Sequence, residues 1–261
     1  MTRATRLTEL ATWIVRDGSL RVEDVTQRFA VSASTARRDL DALADQQFVQ
    51  RTRGGAQIAS GSGDLPLRYA VVRREAQKQA IASAAAALVE PDTVVGFNGG
   101  TTTTAVAHEL GIRMASEHPD RFEVLTVVTN AVNIAAELVV RPQLRVVVTA
   151  GVARPWSYEL TGPLADAIFP QIDIGTLFLG INALDVQRGV FTQHDGEAAI
   201  NAALVKAARR VVVVADSSKL SARAFVRICG LCDVDELVTD SGADPWICEA
   251  TRAAGVTVTL V

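Results

Sequence analysis

The 261-residue sequence predicts an α/β protein with a small N-terminal helical domain and a larger, mostly parallel, three-layer α/β domain. Three observations support this fold class. Three short amphipathic helical patterns occupy the first 46 residues. A stretch of small residues, Ala59–Pro66, follows and is typical of a flexible joint. Beyond it, short β-branched runs alternate with helical stretches, as in a parallel sheet that helices cover on both faces.

The first domain is predicted to contain three helices. The first covers Arg6–Asp17, where apolar residues recur at helical spacing until Asp17-Gly18 ends the pattern. The second covers Glu23–Phe29. The third follows Ser32, whose hydroxyl can cap the free amides of the first turn, and continues to about Gln46. Its predicted buried face consists of Ala33, Ala36, Leu40, Leu43 and Ala44.

The third helix carries polar residues opposite its apolar face, namely Ser34, Arg38 and Asp41. Such a face suits a DNA major groove, because arginine can donate two hydrogen bonds to guanine and serine or threonine can reach a phosphate or a base edge. Taken alone, however, this segment fits an ordinary surface helix with two solvated arginines better. The DNA hypothesis therefore depends on what surrounds it.

A basic hairpin follows the third helix. Two apolar-polar alternations, within residues 48–58, flank Arg53-Gly54-Gly55, and the glycines can supply the positive φ of a tight turn. Three helices and a hairpin form a winged helix-turn-helix, whose wing arginines would lie against DNA phosphates. The predicted DNA-binding residues are Ser32, Ser34, Thr35, Arg37, Arg38, Arg51 and Arg53.

The predicted domains are residues 1–58, a linker over 59–67, and an α/β domain over 68–261. Charge divides unevenly between them. Residues 1–58 contain 9 arginines and 7 acidic residues, whereas the rest of the chain contains 17 basic and 22 acidic residues. A basic head and an acidic body suit nucleic acid at one end of the chain, although the difference is modest.

The second domain is predicted to begin with an alanine-rich helix over residues 69–89, which Pro91-Asp92 ends. Strands are predicted at 93–97, 124–129, 144–149, 176–179, 211–215, 237–239 and 256–261. Helices are predicted between them at 102–110, 131–140, 197–209 and 245–254. An open parallel sheet of this kind binds ligands beyond the carboxyl ends of its strands.

The first of these strand ends is a glycine- and threonine-rich loop within Phe97–Thr104. Glycine lets the backbone approach a ligand closely, threonine adds hydroxyl donors, and the following helix points its free amides at the loop. The pattern is neither a Walker loop nor a dinucleotide fingerprint, and similar turns also occur as plain strand-to-helix connections. The residues of this loop predicted to bind a ligand are Asn98, Gly99, Gly100, Thr101, Thr102 and Thr103.

Later strand ends carry further polar candidates. Asn130 follows the second strand, Asp195 and Glu197 stand at the start of a helix, and Lys219 follows a strand near residue 215. A purely structural role is equally compatible with the two carboxylates, because acidic side chains stabilise a helix N-terminus. Lys219 could likewise be a solvated loop charge.

These segments together resemble the DeoR family of bacterial transcriptional regulators. The N-terminal resemblance rests on Arg6, Gly18, Val31-Ser32, Thr35, Arg37-Arg38-Asp39-Leu40, Leu43, Arg51 and Gly54-Gly55-Ala56. It departs at Ala36 and Arg53, where the family usually has isoleucine and histidine. The C-terminal resemblance rests on the glycine-threonine loop, Thr129-Asn130, Gly162-Pro163, the run Asp173–Gly180 and Asp216-Ser217-Ser218-Lys219.

The resemblance implies an effector domain similar in fold to ribose-phosphate isomerase that binds a phosphorylated sugar. By that likeness Gly100–Thr103 would hold the phosphate, Asn130 and Glu197 the sugar hydroxyls, and Lys219 the phosphate or a carbonyl-side oxygen. Gly151 is also assigned to the effector site, although Gly151-Val152 replaces a usual glycine pair. Two other departures, Asn98 for a common aspartate and Asn201 for a common lysine, imply a pocket of different polarity.

The resulting hypothesis is a transcriptional regulator, a repressor of carbohydrate-metabolism genes, that binds double-stranded operator DNA as a homo-oligomer and responds to a phosphorylated sugar. One alternative is a sugar-phosphate isomerase-like enzyme, with Asp195 or Glu197 as its base. Another is a nonspecific DNA-binding protein with a degenerate pocket. The leading hypothesis assigns no catalytic residue and no cofactor.

The cysteines and the hydropathy of the sequence indicate in which compartment the protein is expected. Cys229 and Cys232 form a lone C-x-x-C, and Cys248 with three scattered histidines does not complete a zinc pattern, so no metal site is expected. The N-terminus carries no apolar signal segment. No apolar run approaches the roughly 20 residues of a membrane span. The sequence therefore predicts a cytoplasmic protein without membrane contact.

Overall fold

The computed structural model describes residues 1–45, 49–58, 74–120, 124–165 and 167–261. The predicted linker, 59–67, and the first part of the helix predicted over 69–89 lie outside this range. The chain divides into two compact units, Met1–Arg73 and Arg74–Val261. None of the described helices combines the length and the apolar character that crossing a membrane requires.

The first unit contains the three expected helices, α1 (Arg3–Asp17), α2 (Val22–Phe29) and α3 (Ala33–Asp45). They pack with an antiparallel sheet of three strands, β1 (Ser19–Arg21), β2 (Val49–Thr52) and β3 (Gly55–Ile58), in the order β1-β3-β2. The sequence pattern did not predict β1, which has only three residues. The buried core consists of Leu10, Ala11, Ile14, Leu20, Val22, Val25, Ala36, Leu40, Leu43, Val49 and Ala56.

The buried face of α3 differs from the prediction at two positions. Ala33 is exposed, because it is the first residue of the helix and its side chain leans back beyond the packed turns. The second difference is Asp39, which is buried although a carboxylate was not expected on the inner face of α3. Of the other predicted core positions, Ala36, Leu40 and Leu43 are buried as expected, and Ala44 is half-buried against the same core.

The wing turn uses its two glycines for different reasons. Thr52 pairs with Gly55, so Arg53 and Gly54 form a two-residue turn. Only Gly54 has a positive φ, of 92°. Gly55 is required instead by close packing, since a Cβ there would lie 2.0 Å from the carbonyl oxygen of Leu20 in β1. The expectation that both glycines supply positive φ is therefore wrong for Gly55.

The second unit is built on seven strands that all run parallel. They are β4 (Val94–Phe97), β5 (Leu125–Thr129), β6 (Leu144–Val148), β9 (Ile174–Leu179), β12 (Ala208–Val214), β14 (Glu236–Thr239) and β15 (Thr257–Leu260). Their order across the sheet is β15-β14-β12-β9-β4-β5-β6. The predicted parallel sheet is confirmed, with each neighbouring pair in parallel register.

Two layers cover this sheet. Helices α4 (Glu75–Ala86), α5 (Thr101–Glu117) and α6 (Val132–Leu138) form the core of one face with the strands. On the other face lie α7 (Asp195–Lys206) and α8 (Pro245–Ala253). Side chains alternate between the two cores: in β12, Val212 and Val214 belong to the first, and Val211 and Val213 to the second. The predicted three-layer architecture is confirmed.

Smaller strands complete the second face. β10 (Ala183–Asp185), β11 (Gly189–Thr192) and β13 (Val226–Cys229) form an antiparallel sheet, and β7 (Val152–Ala153) pairs with β8 (Leu160–Thr161). None of these short strands was predicted. The helix predicted over 197–209 also ends early, because β12 begins at Ala208, whereas the helix predicted over 102–110 continues to Glu117.

Candidate DNA-binding surface and effector site

The outer face of α3 presents three of the predicted DNA-binding side chains to solvent. Ser34, Arg37 and Arg38 are exposed, and Thr35 is half-buried. Ser32 caps the helix as predicted, because its hydroxyl accepts a hydrogen bond from the backbone N–H of Thr35 at 3.2 Å. The same hydroxyl lies 2.9 Å from that of Ser34 and 3.0 Å from that of Thr35, so Ser32 organises the start of the helix.

The two wing arginines have different surroundings. Arg51 is half-buried, its Nε lies 2.8 Å from a carboxylate oxygen of Asp41 on α3, and its guanidinium donates to the Gly55 carbonyl oxygen. It therefore ties the wing to α3, a role that the sequence pattern did not indicate. Arg53 is exposed at the turn. That either arginine contacts phosphates stays a prediction.

The candidate effector site lies where the strand order changes direction. β5 and β6 lie on one side of β4, whereas β9, β12, β14 and β15 lie on the other. The crevice beyond the ends of β4 and β9 is therefore the topological switch point of the sheet, which is where such folds bind ligands. Asn98 spans it: its amide nitrogen donates to the Gly180 carbonyl oxygen at 2.9 Å, and its amide oxygen accepts from the Gly180 N–H at 2.7 Å.

The glycine-threonine loop forms the entrance to α5. Gly100 precedes the helix with φ 148°, and its carbonyl oxygen accepts from Thr104 N–H at 3.0 Å and from the Thr103 hydroxyl at 3.1 Å. Thr102 and Thr103 are buried, and Thr101 is half-buried. The first amides of α5 have no partner within the helix, and its dipole favours an anion at this end. That this loop binds a phosphate stays a prediction.

A buried polar pair stands beside the loop at the end of β5. Asn130 is fully buried, and its amide nitrogen donates to a carboxylate oxygen of Glu159 at 2.9 Å. Glu159, only 4% exposed, also touches the loop, because a Cβ on Gly99 would lie 2.3 Å from Glu159 Cγ. The amide oxygen of Asn130 has no hydrogen-bond partner among the described residues.

A second buried carboxylate projects from the start of α7. Glu197 accepts from Arg154 Nε at 3.0 Å and from the Thr192 hydroxyl at 3.1 Å, and that hydroxyl lies 2.8 Å from Asn182 Oδ1. One helical turn further, Asn201 is buried, and its amide oxygen has no partner in the described part of the chain. Glu197 is therefore more than a helix-terminus charge, because it is neutralised inside the protein.

The remaining predicted effector residues are placed less centrally. Asp195 points outward with an 83% exposed side chain, 3.4 Å from His194 Nδ1, so the structure does not bring it together with Glu197. Gly151 has φ 141°, and a Cβ there would lie 2.8 Å from the Thr161 backbone, which gives this glycine a packing role. Lys219 ends a short turn after β12, two strands away from β4, which is roughly 10 Å.

Sequence reasoning missed Glu159, Arg154 and Asn182 as parts of this site. Glu159 and Arg154 lie in an irregular connection between β6 and β9, with no strand end or helix start nearby in the predicted pattern. The only available signal was the isolated charge in an otherwise weakly polar run, Trp156–Thr161. Nothing in the sequence marks such a charge as buried.

Comparison with known proteins agrees with this architecture. A family model described as the DeoR-like helix-turn-helix domain matches residues 6–61, and one described as the DeoR C-terminal sensor domain matches residues 73–241. The chain belongs to the DeoR family. It is therefore a DNA-binding transcriptional regulator, and the resemblance deduced from its motifs is confirmed.

Individual relatives are similar along most of their length. The chain is 35% identical to the HTH-type transcriptional regulator GlpR of Haloferax volcanii, over 91% of this chain and 89% of that protein. It is 28% identical to the glycerol-3-phosphate regulon repressor of Escherichia coli, over 87% of each. Ribose 5-phosphate isomerase A of Methanocaldococcus jannaschii is similar in structure, with a TM-score of 0.41 and 20% identity, over 56% of this chain and 54% of that one.

One difference between this chain and the usual DeoR-family pattern concerns the positive charge beside Glu197. By the resemblance described above, Asn201 replaces a usual lysine four residues after Glu197. In this DeoR-family chain, the cation beside Glu197 is Arg154, which comes from a different segment. The positive charge at the carboxylate is therefore present although α7 does not supply it.

Proposed function

We propose that this DeoR-family protein represses transcription by binding operator DNA through the outer face of α3 and the wing, and that a phosphorylated sugar in the β4–β9 crevice changes its DNA affinity. The observation that carries the effector proposal is the unpartnered amide oxygen of Asn130 among the described residues. A buried acceptor of this kind is costly unless something donates to it, and a sugar hydroxyl is a suitable donor.

The assignment of groups follows from their chemistry. Gly100 and Thr101–Thr103 would hold the phosphate with the first amides of α5. Asn130 and Glu197 would bind hydroxyls, and Lys219 would pair with phosphate or a neighbouring oxygen. Asn98 has both amide atoms bound to Gly180, so it fixes the shape of the crevice, and its amide nitrogen keeps a second N–H that can donate to a ligand. The E. coli relative is named for glycerol 3-phosphate, a small phosphorylated polyol, which supports this ligand class.

DNA recognition on this proposal requires more than one copy of the chain. A single α3 reads few base pairs, so two heads would bind half-sites whose centres lie about 10 bp, or a multiple of that, apart. The effector and the DNA then act on the same conformational equilibrium of the protein. Each must therefore change the affinity for the other by the same factor. We place this activity in the cytoplasm, as its relatives' roles in transcription imply.

An isomerase-like activity is the alternative, and we propose that the protein lacks it. The predicted base, Glu197, already accepts hydrogen bonds from Arg154 and Thr192. Asp195, the other candidate, is exposed away from it. General acid-base chemistry at a sugar carbon needs a positioned acid and a positioned base, and these two carboxylates do not form such a pair.

The decisive experiment selects an operator from random-sequence DNA and measures its affinity by fluorescence anisotropy, with and without a panel of phosphorylated sugars. We expect one class of sugar phosphate to shift the affinity, and the Lys219→Ala variant to bind DNA normally without that shift. Failure to select any preferred sequence would contradict the DNA proposal. Turnover of a sugar phosphate that Glu197→Gln abolishes would contradict the absence of catalysis.

A further inference from the structure

The carboxylate of Glu159 occupies the space directly over the first glycine of the effector loop. A Cβ on Gly99 would lie 2.3 Å from Glu159 Cγ and 2.8 Å from Glu159 Oε1. Gly99 is therefore the residue that lets this acidic side chain reach the loop. The loop leads into the N-terminus of α5, which attracts anions, so a protein carboxylate already stands beside the place proposed for a phosphate.

Glu159 belongs to a covering segment, Gly151–Gly162, that is fastened to the end of β5. Leu160 N–H donates to the Asn130 carbonyl oxygen at 2.7 Å, and Val132 N–H donates to the Tyr158 carbonyl oxygen at 3.0 Å. The side chains add the bond from Asn130 Nδ2 to Glu159 Oε2, at 2.9 Å. The position of Glu159 is thus coupled to the position of the whole covering segment.

The covering segment also reaches the second carboxylate of the site. Arg154 Nε lies 3.0 Å from Glu197 Oε1, and Arg154 N–H donates to the Glu159 carbonyl oxygen at 2.9 Å. A movement of Glu159 would therefore shift Arg154 and disturb its ion pair with Glu197, on α7. The side chain of Asn130 would be affected at the same time, since its amide nitrogen would lose an acceptor while its amide oxygen already lacks a partner among the described residues.

A phosphate arriving at the loop meets this carboxylate at close range. Two anions held near each other in a buried site repel strongly, and one of them must be neutralised or leave. Burial strengthens this repulsion, because Glu159 is almost wholly shielded from water. The glutamate side chain is long enough to turn away from the loop.

We propose that Glu159 is a built-in competitor for the effector phosphate, and that its displacement by ligand releases the covering segment. This role rests on the proposed effector site. On this proposal, before a ligand binds, the carboxylate stands over the loop and holds the segment through Asn130. Ligand binding exchanges one anion for another, breaks the Asn130–Glu159 bond and loosens residues 151–162.

Two roles of Glu159 differ in the sign of their effect on phosphate binding. If Glu159 competes with phosphate, removing its charge strengthens phosphate binding. If Glu159 instead binds a sugar hydroxyl, removing its charge weakens the binding of a phosphorylated sugar and leaves inorganic phosphate unaffected. Inorganic phosphate is therefore the sharper probe, because it has no sugar hydroxyls to engage the carboxylate.

The test measures inorganic phosphate binding by calorimetry for the full-length protein and for Glu159→Gln and Glu159→Ala. We expect both variants to bind on the order of tenfold more tightly, the size of effect that one nearby like charge produces. Glu137→Gln, on α6, is the matched control, because it removes the same charge from a half-buried residue that pairs with His108. It should bind phosphate as the wild type does.

A second measurement does not depend on the variants folding. Hydrogen exchange on the wild-type protein should show faster exchange of the Leu160 amide when phosphate is added, since the covering segment loosens. Unchanged or weaker phosphate binding by both Glu159 variants, or slower exchange at Leu160 with phosphate, would overturn the proposal. If no phosphate or phosphorylated sugar binds the wild type or either variant, the proposed effector site itself fails.

Discussion

The buried carboxylate of Asp39 on α3 accepts a hydrogen bond from Arg6 Nε on α1 at 2.6 Å. The Asp39 side chain is 2% exposed and that of Arg6 is 11% exposed. The hydrogen bond to Asp39 raises the pKa of Arg6. Arg3 lies further away, at 3.5 Å, and its side chain is 64% exposed. The pair therefore fixes α3, with its exposed arginines, against α1.

Replacing Arg6 by leucine should destabilise the first unit by about 3 kcal/mol, because Asp39 would remain buried with only the more distant and exposed Arg3 beside it. Arg3→Leu is the control and should cost about 0–1 kcal/mol, as expected for an exposed ion pair. Urea unfolding, followed by the fluorescence of Trp13 in a Trp156→Phe and Trp246→Phe background, measures both. Equal decreases in the free energy of unfolding for the two variants would show that the buried ion pair stabilises the unit no more than the exposed one.

The exposed arginines of α3 and the wing should differ in how they recognise DNA. Arg38→Ala should weaken binding to a selected operator by ~1–3 kcal/mol and leave binding to random DNA nearly unchanged, if Arg38 reads a base. Arg53→Ala should weaken both alike and reduce the salt dependence by about one phosphate contact. Anisotropy titrations at several salt concentrations distinguish these patterns. Equal losses on both DNAs for Arg38→Ala would make it a phosphate contact.

The two wing glycines should respond differently to alanine. Gly55→Ala should disrupt the pairing of β3 with β1, since its Cβ would lie 2.0 Å from the Leu20 carbonyl oxygen. Gly54→Ala meets no atom within 4 Å and carries only the strain of φ 92°, which costs about 1 kcal/mol. Thermal unfolding of the two variants should therefore rank Gly55→Ala as clearly the less stable. The opposite ranking would mean that the wing can shift away from β1.

The three cysteines should react with alkylating reagents at different rates. Burial, helped by nearby Asp233 and Cys232, raises the pKa of Cys229 to about 12. At pH 8 only about 1 in 10,000 Cys229 thiols is then ionised, and the thiolate is the reactive form. Burial also raises the pKa of Cys248. Cys232, which is exposed, should be alkylated first by iodoacetamide, as peptide mass spectrometry can show; rapid labelling of Cys229 would contradict this order.

The helices and strands with strong periodicity could be predicted from the sequence. The contacts between distant residues could not. Leu40 and Leu43 were placed correctly on the inner face of α3, because apolar spacing reports burial directly. Asp39 was not, since its burial depends on Arg6, which lies 33 residues earlier in the chain. The seven parallel strands were found from their β-branched runs, whereas β10, whose three residues include Asp185, has too short a pattern to be recognised.

The candidate site was predictable only where it follows a strand or begins a helix. Asn98, Asn130 and Glu197 occupy such positions. Asn98 and Asn130 follow the neighbouring strands β4 and β5, and Glu197 is linked to Asn130 through Arg154 and Glu159. Glu159 and Arg154 come from a connection without periodicity, and long-range contacts alone bring them to Asn130 and Glu197. A pattern in the chain cannot reveal a partner that is distant in sequence and unrelated to any repeat.

The double hydrogen bond between Asn98 and Gly180 has a practical consequence for protein engineering. It joins the two halves of the sheet at the base of the crevice, so the base cannot widen without losing both bonds. The covering segment, in contrast, touches the crevice from outside the sheet. On the proposed function, exchanging residues 151–162 between DeoR-family regulators should therefore alter ligand preference while the folded scaffold remains intact. This segment is then a suitable unit to exchange when new metabolite-responsive regulators are built.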